Sequence, residues 1–149
     1  MTEVAFYHLE HAPLERVLPK LLEKAVERGY RALVRAGSSE RVEALNTTLW
    51  TYDPGSFLAH GAAADGHAAE QPIYLTTGEE NPNKATVLVL VDGADYADIA
   101  PFERCLYVFD GNDPVAVAAA RERWSRLKDG GHKATYWQQS PEGRWEQKG

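Results

Sequence analysis

The sequence predicts an α/β protein of three layers (α/β/α), in which helices cover both faces of a mainly parallel sheet. Short apolar segments alternate with longer segments of helical period along the whole chain. The most apolar segment, residues 85–91, lacks the polar and apolar alternation of a half-exposed strand, which is typical of a strand buried on both faces. Strands that alternate with helices favour parallel pairing, because parallel neighbours are joined through crossover helices.

The first elements are a strand, a helix and a second strand. Residues 4–7 form one apolar segment and residues 31–36 form another. Between them, apolar side chains recur at intervals of three and four over residues 14–25, which indicates a helix with one apolar side. Pro13 suits the first turn of this helix. Pro19 falls inside the pattern, so the helix either starts near Pro19 or kinks there.

The later elements follow the same alternation. The hydroxyls of Ser38 and Ser39 can cap a second helix, whose apolar positions continue to Trp50. Asp113 and Pro114 are typical of a helix N-terminus, and this third helix is predicted to run to about Lys128. The strands predicted in this part of the chain are residues 73–75, 85–91, 106–109 and 135–137.

Composition narrows the class of protein. The chain has 149 residues and a net charge of -6, which fits one domain spanning residues 1–149. Its single cysteine excludes a disulfide-rich secreted module. No apolar segment approaches the roughly 20 residues of a membrane span, and the start lacks a signal-peptide layout, so we expect a cytoplasmic protein. The acidic balance argues against a global electrostatic grip on nucleic acid and leaves room for a local basic patch.

The strand ends carry no usual nucleotide-binding motif. Neither G-x-x-x-x-G-K-[ST] nor a G-x-G-x-x-G after the first strand is present, so we expect no cofactor. Asp92 and Asp110 each end an apolar strand, and two carboxylates at neighbouring strand ends could hold magnesium. A magnesium-dependent nucleotide-binding enzyme is therefore one hypothesis. Turn or helix-cap roles are the favoured alternative for both residues.

Two other polar groups have ordinary interpretations. Cys105 precedes an apolar strand and has no histidine or aspartate beside it in sequence, so we predict a core thiol rather than a nucleophile. His8 and His11 flank Glu10, but no spaced set of further zinc ligands accompanies them. We interpret them as polar histidines near a strand end.

An aromatic loop follows the second helix. Four large rings lie within eleven residues around a Pro-Gly turn, beginning at Trp50 and including Phe57. Such rings either pack on the edge of the core or form a patch that a partner covers. We favour core packing for Trp50 and leave both alternatives open for Phe57.

The third helix carries an aromatic and basic stripe. Val117, Arg121, Trp124 and Lys128 share one side of the helix, while small residues such as Ala120 form a different stripe. This spacing predicts that Trp124 points away from the core between two cations, with Arg126 nearby. Such a site suits an acidic peptide with an aromatic end. The alternatives are a solvated basic face with a half-buried tryptophan, and direct binding of single-stranded DNA.

Arg123 has a separate prediction. It falls near the small-residue stripe, so we expect a structural arginine that snorkels or forms an ion pair.

Across nearly the whole chain, the sequence resembles the chi subunit of bacterial DNA polymerase III holoenzyme. The matching features, in order and spacing, are Phe6-Tyr7, Gly29-Tyr30-Arg31-Ala32-Leu33-Val34, Leu49-Trp50, Ser56-Phe57, His60-Gly61, Gln71-Pro72-Ile73, Ala120-Arg121-Glu122-Arg123-Trp124 and Thr135-Tyr136-Trp137. The resemblance implies a fold similar to nucleotide-binding domains without their phosphate loop. It also implies a non-catalytic accessory subunit of the replicative polymerase, associated with the replisome and nucleoid.

The resemblance also implies two partners. The first is the acidic C-terminal tail of single-stranded DNA-binding protein, so that nucleic acid is reached only indirectly. Its site falls on Arg121 and Trp124. Family positions that are commonly basic are Ser125 and Val117 here, and we expect Arg126 and Lys128 to supply the missing charge. No metal or membrane contact is implied.

The second implied partner is the psi subunit or another clamp-loader subunit. Its contact falls on Phe57, with Trp50 and the loop through His60 around it. The residues predicted for this contact are Trp50, Phe57, Leu58 and His60.

Overall fold

The computed structural model describes residues 2–51, 60–62 and 67–148, and it confirms an α/β fold. This described part contains eight strands: β1 (Glu3–Leu9), β2 (Ala32–Arg35), β3 (Gly61–Ala62), β4 (Ile73–Thr76), β5 (Val87–Leu90), β6 (Arg104–Asp110), β7 (Lys133–Gln139) and β8 (Trp145–Gln147). The same ranges contain three α-helices, α1 (Leu14–Glu27), α2 (Ser39–Thr51) and α3 (Pro114–Asp129), and a 3₁₀ helix at Ala68–Glu70.

All eight strands form one sheet in the order β3-β4-β2-β5-β6-β1-β7-β8. Every neighbouring pair is parallel except β7 and β8, which pair antiparallel. The predicted parallel sheet is therefore confirmed. β1 lies inside the sheet between β6 and β7, so residues from the start and end of the chain are direct neighbours.

Two apolar clusters pack on opposite faces of this sheet. On one face, α1 and α2 contribute leucines and valines that pack with Leu9, Val34 and Val89 of the strands. On the other face, α3 packs through Ala120 against Phe6 and Leu88, among other residues. The alternation of side chains along β1 divides it between the faces. The three-layer arrangement follows directly from these two clusters.

The structure settles one alternative in the first helix. α1 begins at Leu14 and passes through Pro19, which is buried, so the hypothesis of a start near Pro19 is wrong. Proline there lacks the N–H that would bond to the carbonyl one turn earlier. Burial of the apolar side of α1, including Leu18 and Leu22, compensates for the lost bond.

Two strands were not predicted from the sequence. β3 has only two residues, Gly61 and Ala62, which is too short to show any periodicity. β8 is a polar segment, and it forms because it pairs with β7 across a short turn. Gly143 occupies that turn with a φ of 89°, which glycine adopts without a steric cost.

Arg123 has the structural role that the sequence predicts. Its guanidinium donates a hydrogen bond to the Tyr107 hydroxyl and lies 3.7 Å from an Asp95 carboxylate oxygen. Arg126 binds both carboxylate oxygens of the same Asp95, at 2.9 and 2.8 Å. Asp95 therefore ties the second half of α3 to the segment that follows β5.

Cys105 is fully buried in β6, which confirms the prediction of a core thiol. Burial, together with the charge of Asp95, raises the pKa of this thiol to about 12. Because the thiolate is the reactive form, Cys105 is expected to be unreactive in the folded protein. A thiol-specific disulfide reagent at pH 8 should label the native protein far more slowly than the protein in denaturant. Comparable rates in the two conditions would contradict the buried placement.

The Asp95 cluster predicts a dependence of stability on pH. Burial disfavours the ionised carboxyl, but the Tyr96 N–H, Arg126 and Arg123 outweigh it and lower the pKa of Asp95 below its ordinary value. The ionised Asp95 carboxylate therefore stabilises the folded protein fully above about pH 4, and this contribution is lost as the pH falls through the lowered pKa.

Denaturant unfolding of the protein and of Asp95→Asn measures this effect. The difference in unfolding free energy between them should be largest near neutral pH and should shrink as the pH falls below about 4. A difference that stays constant down to pH 3 would show that the Asp95 charge does not stabilise α3.

Candidate functional site

A groove of about 570 Å³ lies between α3 and the strands β6 and β7, beside Lys148, which follows β8. Four of the residues predicted for tail binding line it. The complete lining is Phe109, Val117, Ala120, Arg121, Trp124, Ser125, Tyr136 and Lys148. The groove combines an aromatic floor with a basic rim, which is the composition that recognises an acidic segment ending in an apolar side chain.

The floor of the groove rests on the core. The Trp124 ring packs edge-on against Phe6 and Tyr136, with centroids 5.4 and 6.1 Å away. The prediction that Trp124 points away from the core is therefore wrong. The stripe through Val117 and Trp124 adjoins the stripe through Ala120, so α3 buries a broader side than the sequence indicates. One side of the indole packs inward, and the rest lines the groove.

Three cations stand near this aromatic floor. Arg121 is exposed on the preceding turn of α3. The Lys128 ammonium lies 5.2 Å from the centroid of the Trp124 ring, a cation–π contact. Lys148, which follows β8, lines the same groove. Ser125 is exposed and adds a hydroxyl to the lining of the groove.

Lys148 was not found by sequence reasoning. It follows β8, and its backbone N–H donates to the Tyr136 carbonyl at 2.7 Å. This bond fixes the end of the chain beside the floor of the groove. Because the placement depends on the β7–β8 hairpin, nothing in the local sequence around Lys148 signals it.

Tyr136 reports the electrostatics of the floor. Burial raises the pKa of its hydroxyl, while the charge of Arg121 acts in the opposite direction and Glu10 reinforces the rise. The hydroxyl is a hydrogen-bond partner of His8 Nδ1. His8 Nε2 in turn lies 3.0 Å from Glu10. His8 and Glu10 thus hold the Tyr136 hydroxyl at the carboxyl end of β1. The described residues around them do not form a metal-binding group.

The structure places Arg126 away from the groove. Its guanidinium is bound to Asp95 and lines a different cavity, with Tyr96 and His132 among its neighbours. Of the two cations predicted to compensate for Ser125 and Val117, Lys128 lies at the Trp124 ring, and Arg126 does not line the groove.

The second predicted surface is described only in part. Phe57 and Leu58 lie outside the described residues. Trp50 has 54% of its surface exposed, so the prediction of core packing is wrong. The buried side of α2 runs through Val42, Leu45 and Leu49, and Trp50 lies one helical step of about 100° beyond it.

His60 holds Trp50 at the surface. The two rings are 4.6 Å apart, and His60 is itself buried with Nε2 3.1 Å from the Asn46 carbonyl. A large apolar ring thus stands exposed at the end of α2, on a buried support. This is the composition of a protein contact.

The geometry gives the magnesium hypothesis no support. Asp92 comes two residues after β5, and Asp110 is the last residue of the neighbouring strand β6. However, the Asp92 carboxylate is bound to Arg41 Nε at 2.9 Å, and Asp110 accepts a hydrogen bond from the Asn112 N–H at 2.9 Å. Among the residues that the structure describes, no group of three or more histidine, cysteine or acidic side chains could hold a metal ion.

The same described ranges contain no helix that is long and apolar enough to span a bilayer.

Comparison with known proteins identifies the family. The family model described as DNA polymerase III chi subunit, HolC, matches residues 1–135. A probable DNA polymerase III subunit chi from Rickettsia prowazekii (strain Madrid E) is 32% identical over 109 residues, or 73% of this chain. The chain covers 66% of that relative's length. The resemblance found in the sequence is confirmed, and the chain belongs to the DNA polymerase III chi subunit family.

Proposed function

We propose that this chi-family protein is a non-catalytic accessory subunit of DNA polymerase III that binds the acidic C-terminal tail of single-stranded DNA-binding protein. The groove beside α3 carries the proposal. It holds a half-buried tryptophan beside Arg121 of α3 and Lys148, which follows β8, and Lys128 lies over the same tryptophan ring. Acidic side chains of the tail pair with the cations, and its terminal apolar side chain packs on Trp124 and Tyr136.

Two properties of the groove favour this ligand. Arg121 of α3 and Lys148, which follows β8, both line the groove that holds the aromatic floor, so cations from two separate parts of the chain can pair with carboxylates of one peptide. The protein is otherwise acidic, with a net charge of -6, so an acidic peptide is attracted only where cations are concentrated. Binding is charge-assisted and is therefore weakened by salt.

The exposed Trp50 supports a second contact. We propose that the surface around Trp50 and His60, with Phe57 and Leu58, binds psi or another clamp-loader subunit. The protein then connects the clamp loader to coated single-stranded DNA in the cytoplasm. This adaptor role requires two surfaces on one rigid domain, and Trp50 on α2 lies apart from the residues that line the α3 groove.

The tail contact is tested by fluorescence anisotropy with a labelled acidic tail peptide. Arg121→Ala and Lys148→Ala should each raise the dissociation constant roughly fivefold to a hundredfold, because each removes a charge-assisted hydrogen bond. Removal of the terminal apolar residue from the peptide should abolish most of the binding. Arg16→Ala is the matched control, because Arg16 is an exposed helix arginine that does not line the groove.

Trp124 requires a different variant, since it packs on Phe6 and its truncation disturbs the core. Trp124→Phe keeps an apolar ring, so it should weaken peptide binding without strongly lowering the melting temperature of the protein. If Arg121→Ala and Lys148→Ala both bind the peptide as tightly as Arg16→Ala does, the groove is not the tail site.

The Trp50 contact is tested by gel filtration with the clamp-loader subunits of the same organism. Trp50→Ala should lose co-elution with them, and it should retain its melting temperature because the ring is mostly exposed. Co-elution that survives Trp50→Ala would place the clamp-loader contact elsewhere.

A further inference from the structure

Among the residues that the structure describes, the helices leave part of one side of the central strands uncovered. α1 packs on β2 and β6, and α2 packs on β3 and β4. On the same side of the sheet, Ala5 and Tyr7 of β1 and Trp137 of β7 are partly exposed. Parallel strands inside a sheet are ordinarily covered on both faces. An open side on the central strand β1 is therefore a departure that calls for an occupant.

The open side forms a continuous groove. A cavity of about 220 Å³ lies over the starts of β1, β6 and β7 and is lined by Tyr7, Thr135 and Trp137. A second cavity of about 70 Å³ continues beneath α1. Tyr7, Arg104 and Leu106 line both cavities and join them.

Three aromatic residues lie on three adjacent strands, β1, β7 and β8. Tyr7 and Trp137 are direct partners in the β1–β7 pairing, so their side chains project from the same face. The ring of Trp145 in β8 contacts Tyr7 edge-on, with centroids 5.0 Å apart. We call Tyr7, Trp137 and Trp145 the aromatic platform.

Cations surround the aromatic platform. Arg104 and Lys133 line its larger cavity, and Lys24 and Arg28 line the part beneath α1. The acid among these lining residues is Glu3, 3.8 Å from Arg104 and largely exposed. Burial raises the pKa of the Tyr7 hydroxyl, and the charges of Arg104 and Arg28 oppose that rise, so both guanidinium groups lie close to the platform.

We propose that this face binds single-stranded DNA directly. Aromatic rings on adjacent strands of an open sheet, bordered by cations, stack with unpaired bases while the cations contact phosphates. The basic lining belongs to a chain of net charge -6, so the attraction for a polyanion is local to this face.

This site is separate from the tail groove. Side chains alternate along β1 and β7, so Phe6 and Tyr136 face α3 while Tyr7 and Trp137 face the open side. The protein would then bind single-stranded DNA-binding protein on one face of the sheet and free single-stranded DNA on the other. The proposal does not depend on tail binding, because no platform residue lines the groove beside α3.

Fluorescence anisotropy with a labelled oligothymidylate of about eight nucleotides tests the proposal. At low salt the oligonucleotide should bind, and duplex DNA of the same length should bind much more weakly because its bases are already stacked. With four cations on phosphates, the logarithm of the association constant should fall with the logarithm of salt at a slope of about -3. Absence of binding at low salt, or equal binding of the duplex, would overturn the proposal.

Substitutions at two positions, Trp137 and Lys133, locate the site. Trp137→Ala should lower the affinity for the oligonucleotide about fivefold or more. Trp137→Phe should retain most of the affinity because an aromatic ring remains. Lys133→Glu should weaken it strongly. Lys20→Glu is its matched control, with the same charge change at an exposed position of α1 that lines neither cavity.

Two other outcomes would show that this face does not bind single-stranded DNA. If the oligonucleotide binds equally to Lys133→Glu and Lys20→Glu, and to Trp137→Ala and the unmodified protein, the DNA lies elsewhere. If sedimentation shows a dimer that Trp137→Ala dissociates, the face joins two copies of this chain. Either result overturns the proposal. The tail-peptide titration on the same preparation reports the α3 groove separately, so one failure does not conceal the other.

Discussion

The pairing of β1 between β6 and β7 is the interaction on which both the groove beside α3 and the aromatic platform depend. It brings residues 3–9 beside residues 104–110 on one side, and residues 3–8 beside residues 133–138 on the other. Because side chains alternate along β1, Phe6 supports α3 from below while Tyr7 faces the open side. One short strand therefore organises two surfaces of different composition.

The contact between Phe6 and Trp124 explains how α3 can present an aromatic residue without disorder. Phe6 is fully buried, and its ring meets the inner part of the indole at 5.4 Å between centroids. Arg123 and Arg126 anchor the same turns of α3 through Asp95. A ring held in this way loses little conformational freedom when a ligand binds, so more of the contact energy contributes to affinity. Structural arginines and groove-lining residues thus share one helix.

Much of this fold is predictable from local sequence, and the errors have a common origin. The limits of α3 and the buried thiol of Cys105 follow from capping residues and apolar patterning, which are local. The direction of Trp124 was wrong because the breadth of the buried side of α3 depends on which strands lie beneath it. Lys148 and the aromatic platform were missed for a related reason. Tyr7 and Trp137 are 130 residues apart in the chain, and only the β1–β7 register makes them neighbours.

The proposal that the two faces of β1 support separate binding sites is tested most directly by NMR. The readout is the indole N–H resonances of the four tryptophans in a ¹⁵N-labelled sample. Each resonance is assigned with one Trp→Phe variant. The acidic tail peptide should shift Trp124, and oligothymidylate should shift Trp137 and Trp145, each with little effect on the other set. If both ligands shift the same indoles, or if the peptide shifts Trp137 and leaves Trp124 unchanged, the two faces do not carry separate sites.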